Sequence, residues 1–120
     1  MVLVDTSVWV DHFRGGNSQL VKLLNYGDVL CHHFIIGELA CGNIKNRKQI
    51  LSLLQALPEA IQASNQEILK FIEINNLSGK GLGYIDIHLL AATFLSNTTL
   101  WTLDKKLNEI SLKLKVKFKY

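Results

Sequence analysis

Val2-Leu3-Val4-Asp5-Thr6-Ser7-Val8-Trp9-Val10-Asp11 opens the chain, and its reading decides the fold. A short β-branched run that stops abruptly at an acid reads as a buried parallel strand. Thr6 and Ser7 then stand where hydroxyls cap a helix, which Val8, Trp9 and Phe13 continue and Gly15-Gly16 stop. Outward from this start the pattern recurs. Asn17-Ser18 opens a helix through Leu20, Val21, Leu23 and Leu24 that ends at Gly27. Asp28 to Cys31 reads as a second strand, and Phe34 to Cys41 as a helix with Glu38 inside an apolar pattern. Asn43 to Lys48 is a polar, basic turn; Ile50, Leu51, Leu53, Leu54 and Leu57 follow at helical spacing until Pro58.

The second half follows the same logic. Ile61 lies in a short segment with strand potential among polar neighbours. Ser64-Asn65-Gln66-Glu67 is a capping box opening a helix through Ile74. Gly79-Lys80-Gly81-Leu82-Gly83 forms a loop before a helix from about Ile85 to Leu95, with Asp86 in its first turn. Thr99 to Thr102 reads as a strand, Lys105 to Ile110 as a short helix, and Leu112 to Tyr120, alternating apolar residues with Lys, as a final strand. Strands alternating with helices predict an α/β domain with a mostly parallel sheet.

Composition narrows the function classes. The chain has 120 residues, 48% hydrophobic and 19% charged, with one proline. This predicts a single globular domain over residues 1–120 rather than a disordered chain. No apolar stretch approaches the roughly 18 residues of a membrane span, and the N-terminus lacks a signal peptide's basic and long apolar regions. Cys31 and Cys41 cannot build a disulfide framework, and no Cys/His spacing resembles a zinc site. A reducing cytoplasm is the expected setting, with both thiols free. Thirteen Lys and Arg face ten Asp and Glu. Setting four of those acids aside in one cluster leaves six against thirteen, a balance that suits a polyanionic partner.

Those four acids are Asp5, Glu38, Asp86 and Asp104. Asp5 ends an apolar strand, Glu38 interrupts an apolar helix, Asp86 lies between Ile85 and Ile87, and Asp104 follows a strand. Taken singly, Asp5 and Asp104 could be helix caps and Asp86 a complement to a helix dipole. Glu38 is hardest to explain as a solvated face. In an open parallel sheet, ligands bind at the carboxyl ends of strands, where Asp5 and Asp104 fall. Acids in apolar surroundings are costly unless paired or bound to a cation. Oxygen ligands without His or Cys select a hard ion such as Mg²⁺ or Mn²⁺.

Val4-Asp5-Thr6-Ser7-Val8-Trp9-Val10-Asp11, Gly37-Glu38-Leu39-Ala40, Gly81 through Ala92 and Thr102-Leu103-Asp104-Lys105 together resemble the successive motifs of PIN-domain ribonucleases. The branch they most resemble is the VapC toxin of bacterial type II toxin–antitoxin pairs. The resemblance covers nearly the whole chain. It implies a three-layer α/β/α fold, a Mg²⁺ or Mn²⁺ site and metal-dependent endonucleolytic cleavage of RNA to 5′-phosphate and 3′-hydroxyl ends. By motif match Asp5, Glu38, Asp86 and Asp104 are the expected catalytic carboxylates and metal ligands. Asp5 and Asp86 lead that set; Glu38 and Asp104 bind directly or through water, and Glu38 alternatively orients the attacking water. Ser7 and Thr102 carry over as supporting hydroxyls. The implied partners are an RNA substrate, a cognate VapB-type antitoxin, and a second copy in a homodimer and larger toxin–antitoxin assembly.

Two other functions compete. A phospho-receiver signalling domain has similar size and an acidic pocket, but needs paired acids after its first strand. Here Thr6 follows Asp5, and Cys41 to Pro58 contains no acid. A catalytically silent PIN-fold binding module is the third reading, which the complete acidic set opposes. Other signals carry less. The Gly79–Gly83 loop lacks Walker spacing. His88 lies opposite Asp86 on its helix, His32-His33 suit a strand end, and Trp9 and Trp101 suit a core. Lys113, Lys115, Lys117 and Lys119 fit a protected edge strand, with RNA contact the alternative.

Overall fold

Val2, Leu3 and Val4 are all buried, so strand β1 (Val2–Val4) must be paired on both edges and covered above and below. The computed structural model describes residues 1–119 and does this with two parallel neighbours. β2 (Val29–Leu30) places Val29 beside Val2 and Leu30 beside Leu3. β3 (Thr99–Trp101) places Thr99, Leu100 and Trp101 beside Val2, Leu3 and Val4. The order β2-β1-β3 makes β1 the centre. Single residues extend the ladder at each side, with Glu59 bridging Cys31 and Lys117 bridging Leu100.

Helices fill the connections. α1 (Thr6–Gly15) and α2 (Ser18–Asn25) link β1 to β2; α3 (His33–Cys41), α4 (Arg47–Gln55), α5 (Asn65–Ile74) and α6 (Tyr84–Leu95) link β2 to β3; α7 (Lys105–Lys113) follows. The result is the expected three-layer α/β/α arrangement around a parallel sheet. Residues Ile87 to Thr93 of α6 are all buried, which explains its apolar sequence and the small Ala91-Ala92 pair. The capping box of α5 forms as expected: Ser64 Oγ accepts from the Glu67 amide, and Glu67 accepts from the Ser64 amide.

Three expectations need correction. Thr6 and Ser7 do not cap α1 but lie inside its first turn, with Asp5 at the N-cap position. The Ile61 segment makes no strand: only Glu59 pairs, and Ile61 is exposed. Pro58 has no N–H to give a longer ladder, although its carbonyl accepts from Cys31. The alternating C-terminal run is not a strand either. Leu112 and Lys113 finish α7, because Leu107, Ile110 and Ser111 form a buried helical face. Lys115 then turns the chain at φ 62° before Lys117 makes its single bridge. Tyr120, the end of that expected strand, lies outside the described residues. Both thiols are free, Cys31 buried and Cys41 exposed. Among the described residues no helix is long and apolar enough to cross a membrane.

Candidate active site

The chain leaves β1 toward β2 on one side and returns through β3 on the other, which creates a crevice at the carboxyl ends of β1 and β3. Asp5 sits there. Its amide donates to the Trp101 carbonyl at 2.9 Å, continuing the ladder one residue beyond the strand. The carboxylate is buried and makes no bond to the α1 amides. Instead Oδ2 accepts from Ser7 Oγ at 2.7 Å and from Thr102 Oγ1 at 2.7 Å. The two hydroxyls are themselves aimed by backbone donors: Leu103 N–H gives to Ser7 Oγ at 2.9 Å, and Asp104 N–H gives to Thr102 Oγ1 at 3.0 Å. Oδ1 takes no hydrogen bond among the described residues.

Asp104 opens α7, and its Oδ1 accepts the Leu107 amide at 2.9 Å. Asp86 likewise folds back on its own helix start, Oδ2 accepting the Gly83 amide at 3.1 Å. Burial pushes the Asp86 carboxyl above the usual carboxylate range. The Gly83 N–H works against that shift, and the negative charges of Asp5 and Asp104 add to it. Three acids from β1, α6 and the β3–α7 turn therefore share one field.

Glu38 stands slightly apart. It is exposed on α3, and its Oε1 accepts from Thr6 Oγ1 at 2.8 Å. Thr6, next to Asp5 in the chain, thus steadies the fourth carboxylate, a role that sequence reasoning missed. The signal was its place in Asp5-Thr6-Ser7, where two successive hydroxyls follow the acid. On the first helical turn one turns to Glu38 and the other to Asp5.

Donor chemistry decides whether this set suits a metal. All four side chains offer oxygen, which fits a hard divalent cation. Among the described residues the only ion pair is His33–Glu59, at 2.9 Å, so no Lys or Arg neutralises the four acids. As they stand, no three acidic, His or Cys side chains among the described residues are grouped closely enough to grip an ion. Asp86, Asp104 and Glu38 are each drawn to a local N–H or O–H donor. By donor chemistry the set suits a divalent ion.

The remaining signals resolve as structure. His88 is buried, edge-on to Phe34 and Tyr84 at ring distances of 4.8 and 4.6 Å. His32 caps α3 by accepting the Phe34 amide on Nδ1 at 3.0 Å. Trp9 and Trp101 are in the core. In the Gly79–Gly83 loop, Gly81 has φ +80°, and a Cβ there would meet Lys106 Nζ at 2.7 Å.

Comparison with known proteins agrees with this geometry. The PIN domain family matches residues 2–113. Ribonuclease VapC32 of Mycobacterium tuberculosis, in two strains, is 42% identical over 108 residues, covering 89% of this chain and 87% of the relative. The crystal structure of PAE2754 from Pyrobaculum aerophilum superposes with a TM-score of 0.61 at 16% identity. It covers 91% of this chain and 78% of that one, a likeness of fold. Motif order, parallel topology and identity over most of the length agree, and the chain belongs to the PIN-domain family, in its VapC ribonuclease group.

Proposed function

We propose that this protein is a toxin endoribonuclease that hydrolyses RNA phosphodiester bonds at the Asp5–Asp86–Asp104 crevice with Mg²⁺ or Mn²⁺. The observation that carries the reading is the shared field of those acids at the sheet's switch point, with no basic side chain paired to them among the described residues. A bound divalent ion supplies Lewis-acid stabilisation of phosphoryl charge and a water acidic enough to attack near neutral pH.

The chain's own part is positional. Ser7 and Thr102 fix Asp5 through Oδ2, so that the Asp5 carboxylate would be held ready for a bound ion. Asp86 and Asp104, accepting the Gly83 and Leu107 amides, are the further carboxylates that would hold it. Glu38, held by Thr6, either completes the ion's shell or orients the attacking water. In-line attack then leaves a 5′-phosphate and a 3′-hydroxyl.

Unchecked cleavage would kill the host, so the reading includes a VapB-type antitoxin that covers the crevice and offers it a basic side chain. It also includes a homodimer within a larger toxin–antitoxin assembly, and action in the cytoplasm. The test is incubation of purified protein with single-stranded RNA in Mg²⁺, Mn²⁺ or excess EDTA. Cleavage to 5′-phosphate ends with either ion and none in EDTA is the expected result. No cleavage with either ion, or equal cleavage in EDTA, overturns it.

A further inference from the structure

A groove of about 630 Å³ starts at Thr6 and Glu38, passes Phe13 between α1 and α3, and reaches Arg14, Asn43 and Lys45. Its size lies within the range of ligand clefts, about 300–1,000 Å³. Charge changes along its length. The Glu38 end is acidic and repels phosphate, whereas Arg14 and Lys45 are exposed cations with no acid in ion-pair contact among the described residues. Nearby Arg47 is already engaged, giving Nη2 to the Ala40 carbonyl at 2.9 Å, so Arg14 and Lys45 are the groove's available positive charges.

We propose that this groove carries the RNA strand on one side of the scissile phosphate, with Arg14 and Lys45 binding the flanking phosphates. This rests on the ribonuclease reading above. An enzyme whose reacting centre is negative must hold a polyanion from beside that centre, and this groove runs from Glu38, the outermost of the four acids, to Arg14 and Lys45. Phosphate contacts position the strand, while the half-buried Phe13 and the neighbouring apolar wall accept a base, since every base presents a stackable face. Asn43 adds an amide able to meet a base edge.

The test measures binding of a short fluorescein-labelled single-stranded RNA by anisotropy across salt concentrations, beside cleavage kinetics, for wild type, R14A/K45A and K70A. Lys70 is on α5 and does not line the groove. Loss of two phosphate contacts should flatten the log–log salt dependence by about 1.4, at about 0.7 per contact for a single strand. It should also weaken binding at low salt on the order of tenfold. KM should rise with kcat largely kept, and unfolding should be unchanged. K70A should match wild type. A wild type that cleaves RNA while R14A/K45A keeps its salt slope and KM overturns the groove assignment alone. So does retained RNA binding by R14A/K45A with lost inhibition by the antitoxin, which gives the groove to a protein. A wild type that cleaves no RNA with either ion instead overturns the ribonuclease reading beneath it.

Discussion

Thr102 Oγ1 donates to Asp5 Oδ2 at 2.7 Å, joining the ends of two neighbouring strands across 97 positions of sequence. This bond and its Ser7 counterpart hold a buried carboxylate in one orientation, and both hydroxyls are oriented in turn by the amides that begin the β3–α7 turn. Thr102→Val keeps the shape and removes the donor. The loss should cost about 1.5–3 kcal/mol of stability, the usual size for a hydrogen bond to a charged group. Urea unfolding measures it. Cleavage should fall as well, because Asp5 then rests on Ser7 alone. A variant as stable and as active as wild type would mean that the hydroxyl does not position Asp5.

The two thiols should differ sharply. Cys41 is exposed, whereas burial pushes the Cys31 thiol up to about 11, so almost none of it is the reactive thiolate at neutral pH. Native protein should react with one equivalent of a thiol reagent quickly, and denatured protein with two. Two fast equivalents in the native state would contradict the burial of Cys31.

Acid should loosen the fold through His32. Burial lowers its imidazole to about 4, aided by the charges of His88 and His33. A histidine whose folded value is depressed contributes stability that is full above its ordinary value near 6.5. That contribution is lost as pH falls toward the folded value. The full window corresponds to about 3 kcal/mol. Protonation also removes the Nδ1 acceptor that caps α3. His32→Asn can still cap and does not titrate. Its stability should therefore fall less than that of wild type between pH 7 and 5 in matched urea titrations; equal losses would remove His32 from the acid response.

Much of the fold was legible because burial writes itself into pattern. Val2-Leu3-Val4 and Leu100-Trp101 read as interior strands, and the capping box at Ser64 located α5. The C-terminal run misled because Leu and Lys alternate there with period two, yet the tertiary contacts decided otherwise. Ser111 is fully buried and donates to the Asn108 carbonyl, so the helical face continues past Ile110. Beyond it the chain meets the sheet at the Lys117 bridge to Leu100, flanked by the Val116 and Phe118 hydrogen bonds to Leu100, with Phe118 against Trp101 at 5.4 Å. At the candidate site, the sequence marked positions but not orientations. An acid after an apolar strand marks a position, but nothing local says that Asp5 faces Thr102 or that Glu38 leans on Thr6. Those pairings cross 97 and 32 residues.

In the proposed function, Asp86 holds a negative charge at a cost that a divalent ion would offset. Its carboxyl is raised by burial and by Asp5 and Asp104, so at neutral pH its ionisation opposes folding, and below its ordinary value near 3.8 that penalty vanishes. Mg²⁺ or Mn²⁺ should stabilise the wild type by about 2.7 kcal/mol at a hundredfold excess over the dissociation constant. Asp86→Asn keeps the acceptor for the Gly83 amide and deletes the charge. The decisive measurement pairs thermal unfolding of this variant, with and without the ion, with its rate of RNA cleavage. The account predicts a metal-free melting temperature no lower than wild type, a smaller gain from the ion, and cleavage reduced by orders of magnitude. Wild-type cleavage by Asp86→Asn, with an undiminished metal-induced gain in stability, would contradict it.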